Sequence, residues 1–579
     1  MESLPRPEYP RPQLVREEWL NLNGEWEFEL DPGDSGEARG LPAGGSLARR
    51  ILVPFCPESR LSGLGQTDFM PCVWYRRDFS VPAAWEGQRV LLHLGAVDYE
   101  ATVWVNGMLL GEHRGGYVPF SFDLTDSLQS GENTLVVRAR DDHRTGRQPQ
   151  GKQSSHYYSH GCHYTRTTGI WQTVWLEAAP ADRIEKLRLW SDLEQGAIRA
   201  QVTVVGEARG LRLVVEASLE GQPVGRAEVA PAAATELEVP LDEVRRWEPG
   251  SPTLYDLSLA LQTPEGQVVD RVGSYCGLRS VEVDGQRILL NGQPVFQRLV
   301  LDQGFYPEGI YTAPDDEALR RDIELAQAMG FNGARLHEKV FEPRFLYWAD
   351  RLGYLVWGEY PDWGLSRTDR GTLGVMLPEW LAAVERDFSH PCIVGWCPFN
   401  ETGPPRDAET IRTVYRATKR VDPTRPVIDT SGYTHVETDV YDCHHYTQDP
   451  TELRADLAGL AAGGQPWRNF PEQDAPYQGQ PILVSEYGGI WWNPGQADDK
   501  AWGYGDRPRS EEEFLARYRG LTETLLRHPK VAGFCYTQLY DVEQEVNGLY
   551  TYDRRAKFDP ELIRAINAQP AAIEGNEAS

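Results

Sequence analysis

Beyond residue 281 the chain carries eight short apolar runs, at 297–302, 332–337, 354–359, 393–399, 425–430, 439–443, 481–485 and 531–537. Most are followed by an amphipathic helical pattern. The first of these, DDEALRRDIELAQAMG, sets Leu319, Ile323, Leu325 and Ala326 near one face. Eight apolar strands alternating with helices within about 300 residues predict a closed (β/α)8 barrel in preference to an open sheet.

Upstream the pattern is different. From Trp19 to about Ala178, runs such as VWYRRDFSV, RVLLHLGAV and ATVWVNGMLL alternate with period two between Gly, Asp and Asn, as in an antiparallel sandwich. Val105-Asn106-Gly107 reads as a hairpin turn, because Asn-Gly accepts the positive φ such turns need. From about Pro180 to Arg279 the alternation continues, over a length that suits a small immunoglobulin-like sandwich with no cysteine pair across it. With 579 residues, too many for one core, the chain divides into 1–179, 180–281 and 282–579.

The formal charge of −28 opposes binding to nucleic acid or anionic lipid and favours a neutral partner. The first 20 residues mix prolines and charges where a signal peptide would be apolar, and no run of about 20 apolar residues could span a bilayer. A cytoplasmic protein is expected. Its eight cysteines are scattered without CxxC pairs, as expected of buried free thiols. No cofactor motif is present, and a homo-oligomer is compatible with everything above.

In a (β/α)8 barrel the strand C-termini form the catalytic face. Glu401 ends the fourth run, in IVGWCPFNETGPP, and Glu486 ends the seventh, in PILVSEYGG. Either acid alone could pair with an arginine or cap a helix. Together, on strands across the barrel mouth from each other, they are a candidate pair for glycoside hydrolysis by double displacement, which needs carboxyls about 5–5.5 Å apart.

The stretch SHPCIVGWCPFNE, Ser389 to Glu401, resembles the acid/base motif of glycoside hydrolase family 2, which includes β-galactosidases, β-glucuronidases and β-mannosidases. PILVSEYGG resembles its nucleophile motif, TRTTGIWQTVWLE the end of its first sandwich and RILLNGQPVF the entry to its barrel. The resemblance implies a jelly-roll sugar-binding-like domain, an immunoglobulin-like domain and a catalytic TIM barrel, in that order. It implies Glu486 as nucleophile and Glu401 as acid/base. Arg335 is then expected to hold Glu486 ionised, Tyr446 to donate its hydroxyl to Glu486, and Asn400 to bond the sugar 2-hydroxyl. Glu401 is expected to be protonated before attack, its pKa raised by apolar neighbours such as Trp396 and Phe399.

Several positions depart from the family pattern. His337 follows Arg335 by two residues where the family usually places a histidine at three. His163 stands where many members have an aspartate that helps close the sugar pocket. Tyr536 stands where relatives tend to have a tryptophan floor; core packing is the other reading of it. Asn547-Gly548 replaces the Asn-x-Lys with which glucuronidases hold a uronic carboxylate, and WGEYPDWG lacks the Glu-x-His pair of the magnesium-dependent β-galactosidases. Trp363, Trp491, Trp492 and Trp502 are candidate sugar platforms. The histidines His156, His160 and His163 suggest zinc only weakly, and no metal is expected.

The sequence therefore points to a retaining exo-β-glycosidase acting on a terminal neutral sugar, β-galactosidase-like. The same mechanism on a furanoside, a β-galactofuranoside or arabinoside, is an alternative. A catalytically silent carbohydrate-binding protein is the alternative from another class.

Overall fold

The computed structural model describes residues 4–575 except 494 and 496–499. The first domain packs a four-stranded antiparallel sheet, containing Trp19–Asn21, Val174–Ala179, Arg89–Leu94 and Phe120–Asp123, against a six-stranded one that ends on the hairpin Glu100–Val105 and Met108–Arg114. At the hairpin turn Asn106 and Gly107 take φ of 51° and 79°, the left-handed pair that the strand twist demands. Trp26, Phe28, Tyr75, Leu92 and Val137 fill the space between the sheets. The second domain has seven longer strands in sheets of three and four, closed over Ile198, Val215, Leu259 and Val272.

The barrel strands are β1 (Gln297–Asp302), β2 (Gly333–Leu336), β3 (Leu355–Glu359), β4 (Ile393–Cys397), β5 (Tyr441–His445), β6 (Ile482–Gly488) and β7 (Val531–Thr537). They form one parallel sheet in the order β4-β3-β2-β1-β7-β6-β5. Seven helices accompany them among the described residues. The first, Asp316–Ala328, starts where the Asp315 carboxylate accepts the Ala318 N–H, and it buries Leu319, Ile323 and Ala326 while Leu325 is half-buried. No described helix is long and apolar enough to cross a membrane, and the eight cysteines are free.

The run at 425–430, expected as a strand, makes one isolated bridge to β4, Trp396 to Val427, and a second follows just beyond both, Asn400 to Ser431. Its remaining N–H groups are taken by side chains. Val427 N donates to Asp439 Oδ2 at 2.9 Å and Thr430 N to the Asp429 carboxylate at 2.8 Å. These bonds replace the ladder a regular strand would make to β5.

The domains share buried surface. Tyr117, Tyr164 and Trp171 of the first domain and Trp247 of the second belong to the same apolar cluster as the barrel interior. Residues 150–165, a loop of the first domain, are bonded to the barrel's catalytic face. Gln150 N donates to Trp363 O at 2.7 Å, Tyr164 Oη to Glu545 Oε2 at 2.6 Å, and Gln544 Nε2 to Gly161 O at 2.7 Å.

Candidate active site

The C-terminal ends of β2, β3, β4, β5 and β6 bring charged side chains to one point. Each of Glu401, His444 and Glu486 offers a ligand atom within 4.8 Å of the other two, so the two carboxylates approach to within that distance. Glu486 lies inside β6 and is buried, whereas Glu401 lies just past β4 and is half-buried. Glu401 has φ of 49°. That left-handed conformation, costing a non-glycine residue about 1–3 kcal/mol, stops the extended run, and no helix begins until Ala408.

Arg335, at the end of β2 and 1% exposed, is the cationic centre. Its Nε donates to Glu359 Oε1 at 2.6 Å, its Nη1 to Glu486 Oε1 at 3.1 Å and to Ser485 O at 2.7 Å, and its Nη2 to Asn400 Oδ1 at 3.3 Å. Burial pushes the Glu359 carboxyl up, against the pull of Arg335. Tyr446 Oη donates to Glu486 Oε2 at 2.5 Å and lies 2.9 Å from Thr537 Oγ1. Its ring stacks on Tyr504 at 3.6 Å. Asn400 is fixed through its backbone, whose N–H donates to Asp362 Oδ1 at 2.8 Å. The Asn400 Nδ2 is buried and has no hydrogen-bond partner among the described residues.

His444 was not singled out from the sequence. Its Nδ1 lies 2.9 Å from Glu401 Oε1 and 3.3 Å from Glu486 Oε2, and its Nε2 is 3.0 Å from Ser431 Oγ. Burial would lower the imidazole pKa, but the charges of Glu486 and Glu401 outweigh it and raise the value. Glu401 responds in the opposite sense. Burial pushes its carboxyl up, yet the His444 hydrogen bond and charge, with Lys152 and Arg335, bring it below the usual carboxylate range. The expectation of an acid raised by Trp396 and Phe399 is therefore corrected for the unliganded protein, in which the proton of this pair rests on His444. The available signal was spacing, since His444 and Tyr446 are two apart at the end of one strand and so share a side.

The other candidates have mixed placements. His337 lies beside the acids, Nδ1 2.9 Å from Glu359 Oε2 and Nε2 3.9 Å from Glu486 Oε1. Burial pushes it well below its usual pKa, so it is neutral. His163 lies at the rim, its ring 5.3 Å from Trp363, and burial lowers it to about 4. Trp363 donates from Nε1 to Asn400 O at 3.2 Å. Tyr536 is packed behind β6, edge-on to Tyr487 and Tyr518, with its hydroxyl accepting from Ile490 N at 3.3 Å. The structure does not bring it to the acids. Nor does any hydrogen bond or ring contact join half-buried Trp491 to them among the described residues. Trp492 stacks on Phe558, and Trp502 donates to Gly161 O at 2.7 Å. Two further groups went unread in the sequence, Lys152 and Glu545, both buried and both electrostatically linked to the acids.

Models of the sugar-binding domain, of the middle domain and of the TIM barrel domain of glycosyl hydrolases family 2 match residues 65–180, 182–279 and 281–547. The chain belongs to glycosyl hydrolase family 2. It is a β-glycosidase of that family. A β-glucuronidase of Paenibacillus borealis is 24% identical, over 89% of this chain and 90% of its own. A β-galactosidase of Psychromonas ingrahamii is 26% identical over 89% of this chain, which spans 50% of that longer protein. The solved β-glucuronidase of Ruminococcus gnavus with D-glucuronic acid superposes with a TM-score of 0.79 at 20% identity, covering 97% of this family 2 chain and 99% of its own.

Proposed function

We propose that this family 2 hydrolase removes a terminal neutral sugar from a β-glycoside with retention of configuration, with Glu486 as nucleophile and Glu401 as acid/base. The observation that carries this reading is the approach of the two carboxylates to within 4.8 Å. Retaining enzymes need about 5–5.5 Å between carboxyl groups, whereas inverting ones need about 6.5–9.5 Å to admit a water molecule.

The hydrogen bonds support a sequence of steps. Arg335 and Tyr446 aim the Glu486 oxygens and keep them as acceptors until one attacks the anomeric carbon. The proton held by His444 passes along its 2.9 Å contact to Glu401, which delivers it to the departing glycosidic oxygen. Asn400 Nδ2, with no partner among the described residues, is available to the sugar 2-hydroxyl as positive charge grows on the ring. In the second half Glu401 takes a proton from water, and the resulting hydroxide displaces Glu486. The first-domain loop bonded across the barrel face supports action at a chain end.

A neutral sugar is favoured over a uronic acid by the barrel loop. Asn547, Gly548 and Leu549 supply no lysine, and the Asn547 side chain is occupied by Glu545 and Gln538, at 3.0 and 2.9 Å. β-Galactoside is the first substrate to try.

A panel of chromogenic β-galactoside, β-glucoside, β-galactofuranoside, arabinoside and β-glucuronide tests the reading, with the product anomer followed by NMR. Release of a β-configured neutral monosaccharide is expected. An α-configured first product, or sugar binding without turnover of any panel member, would overturn it.

A further inference from the structure

Lys152 is 6% exposed, in the first-domain loop that covers the barrel mouth. Its Nζ lies 4.0 Å from the centroid of the Trp363 ring, an arrangement that fixes a cation over an aromatic face. Among the described residues the ammonium has no ion pair and no hydrogen bond, although Cys162, Glu545, Glu401 and Glu486 all act on its charge. The side chain is buried but its Nζ keeps some accessible surface, and a lysine so largely buried is normally paired. Two lysines of the barrel follow that rule: Lys339 donates to Tyr311 O at 2.9 Å and Lys557 to Asp541 Oδ1 at 2.6 Å. Lys152 is an exception at the acids.

Glu545, 3% exposed, comes from the loop after β7. Tyr164, in the same loop as Lys152, donates to its Oε2 at 2.6 Å, and Asn547 donates to its Oε1 at 3.0 Å. Each oxygen keeps a second lone pair. The carboxylate is thus held in place by one residue from the first domain and one from the barrel, with acceptor capacity left over, but does not close to ion-pair distance with Lys152.

We propose that Lys152 and Glu545 grip neighbouring hydroxyls of the terminal sugar, Lys152 donating to one oxygen and Glu545 accepting from a hydroxyl beside it. A fixed donor and a fixed acceptor held apart suit a polyol. A carboxylate in that position would gain the charge of Lys152 but meet the repulsion of Glu545, Glu401 and Glu486, all of which act on that lysine. The first domain thereby contributes a specificity residue to the active site. This assignment rests on the neutral-sugar reading above, which it deepens by naming the groups recognised.

The test compares the wild-type protein with Lys152→Met, Lys152→Arg and Glu545→Gln on its best chromogenic glycoside, the monodeoxy analogues of that glycoside and the matching uronide. Near-UV circular dichroism and melting temperature verify folding, and the isosteric Glu545→Gln serves if Lys152→Met is misfolded. Lys152→Met is expected to lose at least about 100-fold in kcat/KM on the parent, because a site built to bond a hydroxyl is left unpaired. On one deoxy analogue the loss should shrink to less than about threefold, since the bond is already absent there. Lys152→Arg should recover part of the activity. Equal losses on every analogue, an unchanged kcat/KM on the parent, or a wild-type preference for the uronide would overturn the proposal. Calorimetric titration with free monosaccharides separates the two readings. If the wild type hydrolyses nothing yet binds a neutral sugar at least about tenfold more tightly than Lys152→Met does, the hydrolytic reading fails and the grip stands. Equal binding by the two proteins overturns the grip.

Discussion

His444 Nδ1 stands 2.9 Å from Glu401 Oε1, at the C-terminal mouth of the barrel. The pair holds one proton between a histidine raised above 6.5 and a carboxyl lowered below 4.5. A raised histidine stabilises the fold below its free value and loses that contribution as pH climbs through its folded value. A lowered carboxyl contributes above its free value and loses it as pH falls. The pair is therefore intact between the two. The basic limb of kcat/KM should report loss of the shared proton, above pH 6.5. In His444→Phe the limb should move to lower pH, where Glu401 titrates alone; a pH–rate profile of both proteins is the check.

Removing either acid should abolish most turnover. Glu486→Ala and Glu401→Ala are each expected to lose at least about 10³-fold in kcat, in line with the scale of general acid–base and nucleophilic contributions. Azide should rescue Glu486→Ala with an α-glycosyl azide and Glu401→Ala with a β-glycosyl azide. Exchanged anomers, read by NMR, would exchange the two roles.

Asn400→Ala should lower kcat more than it raises KM, because its free Nδ2 is assigned to a bond that strengthens in the transition state. On a 2-deoxy glycoside the variant and wild type should agree within about threefold.

Arg335→Met should destabilise the protein by about 3–5 kcal/mol, the scale seen when one member of a buried ion pair is removed. Glu359 and Glu486 would be left in the barrel without their cation. Chemical denaturation with matched m-values measures it. Tyr446→Phe, which removes one charge-assisted hydrogen bond, should cost about 1.5–3 kcal/mol in transition-state binding instead.

A strong chelator should leave turnover unchanged. Added zinc should inhibit, since Glu401, His444 and Glu486 together could ligate it and would then be withdrawn from catalysis. Activation by zinc after chelation would contradict both expectations.

Much of the architecture can be read from periodicity, because strands and amphipathic helices leave different repeats. The run at 425–430 departs from the expected strand because an apolar run says nothing about where N–H groups go, and here Asp439 and Asp429 take them. The acids could be found since each ends an apolar run. Their partners could not be found in the same way. His444 arrives from β5 and Lys152 from a different domain, about 250 residues before Glu401, and only closure of the tertiary structure makes them neighbours. The expected tuning of Glu401 failed for the same reason: its nearby sequence is apolar, whereas its neighbours in space are cations.

The bond from Tyr164 to Glu545 has a practical consequence. A barrel cut out and expressed by itself would keep both acids, yet it would lack the lysine and the tyrosine that complete the pocket. Grafting the first domain of a relative onto this barrel would exchange those residues without altering the reacting carboxylates. On the proposed grip, part of the choice of sugar is thus encoded apart from the chemistry of cleavage, and recombination between the two stretches of the gene is a route by which one catalyst could acquire new substrates.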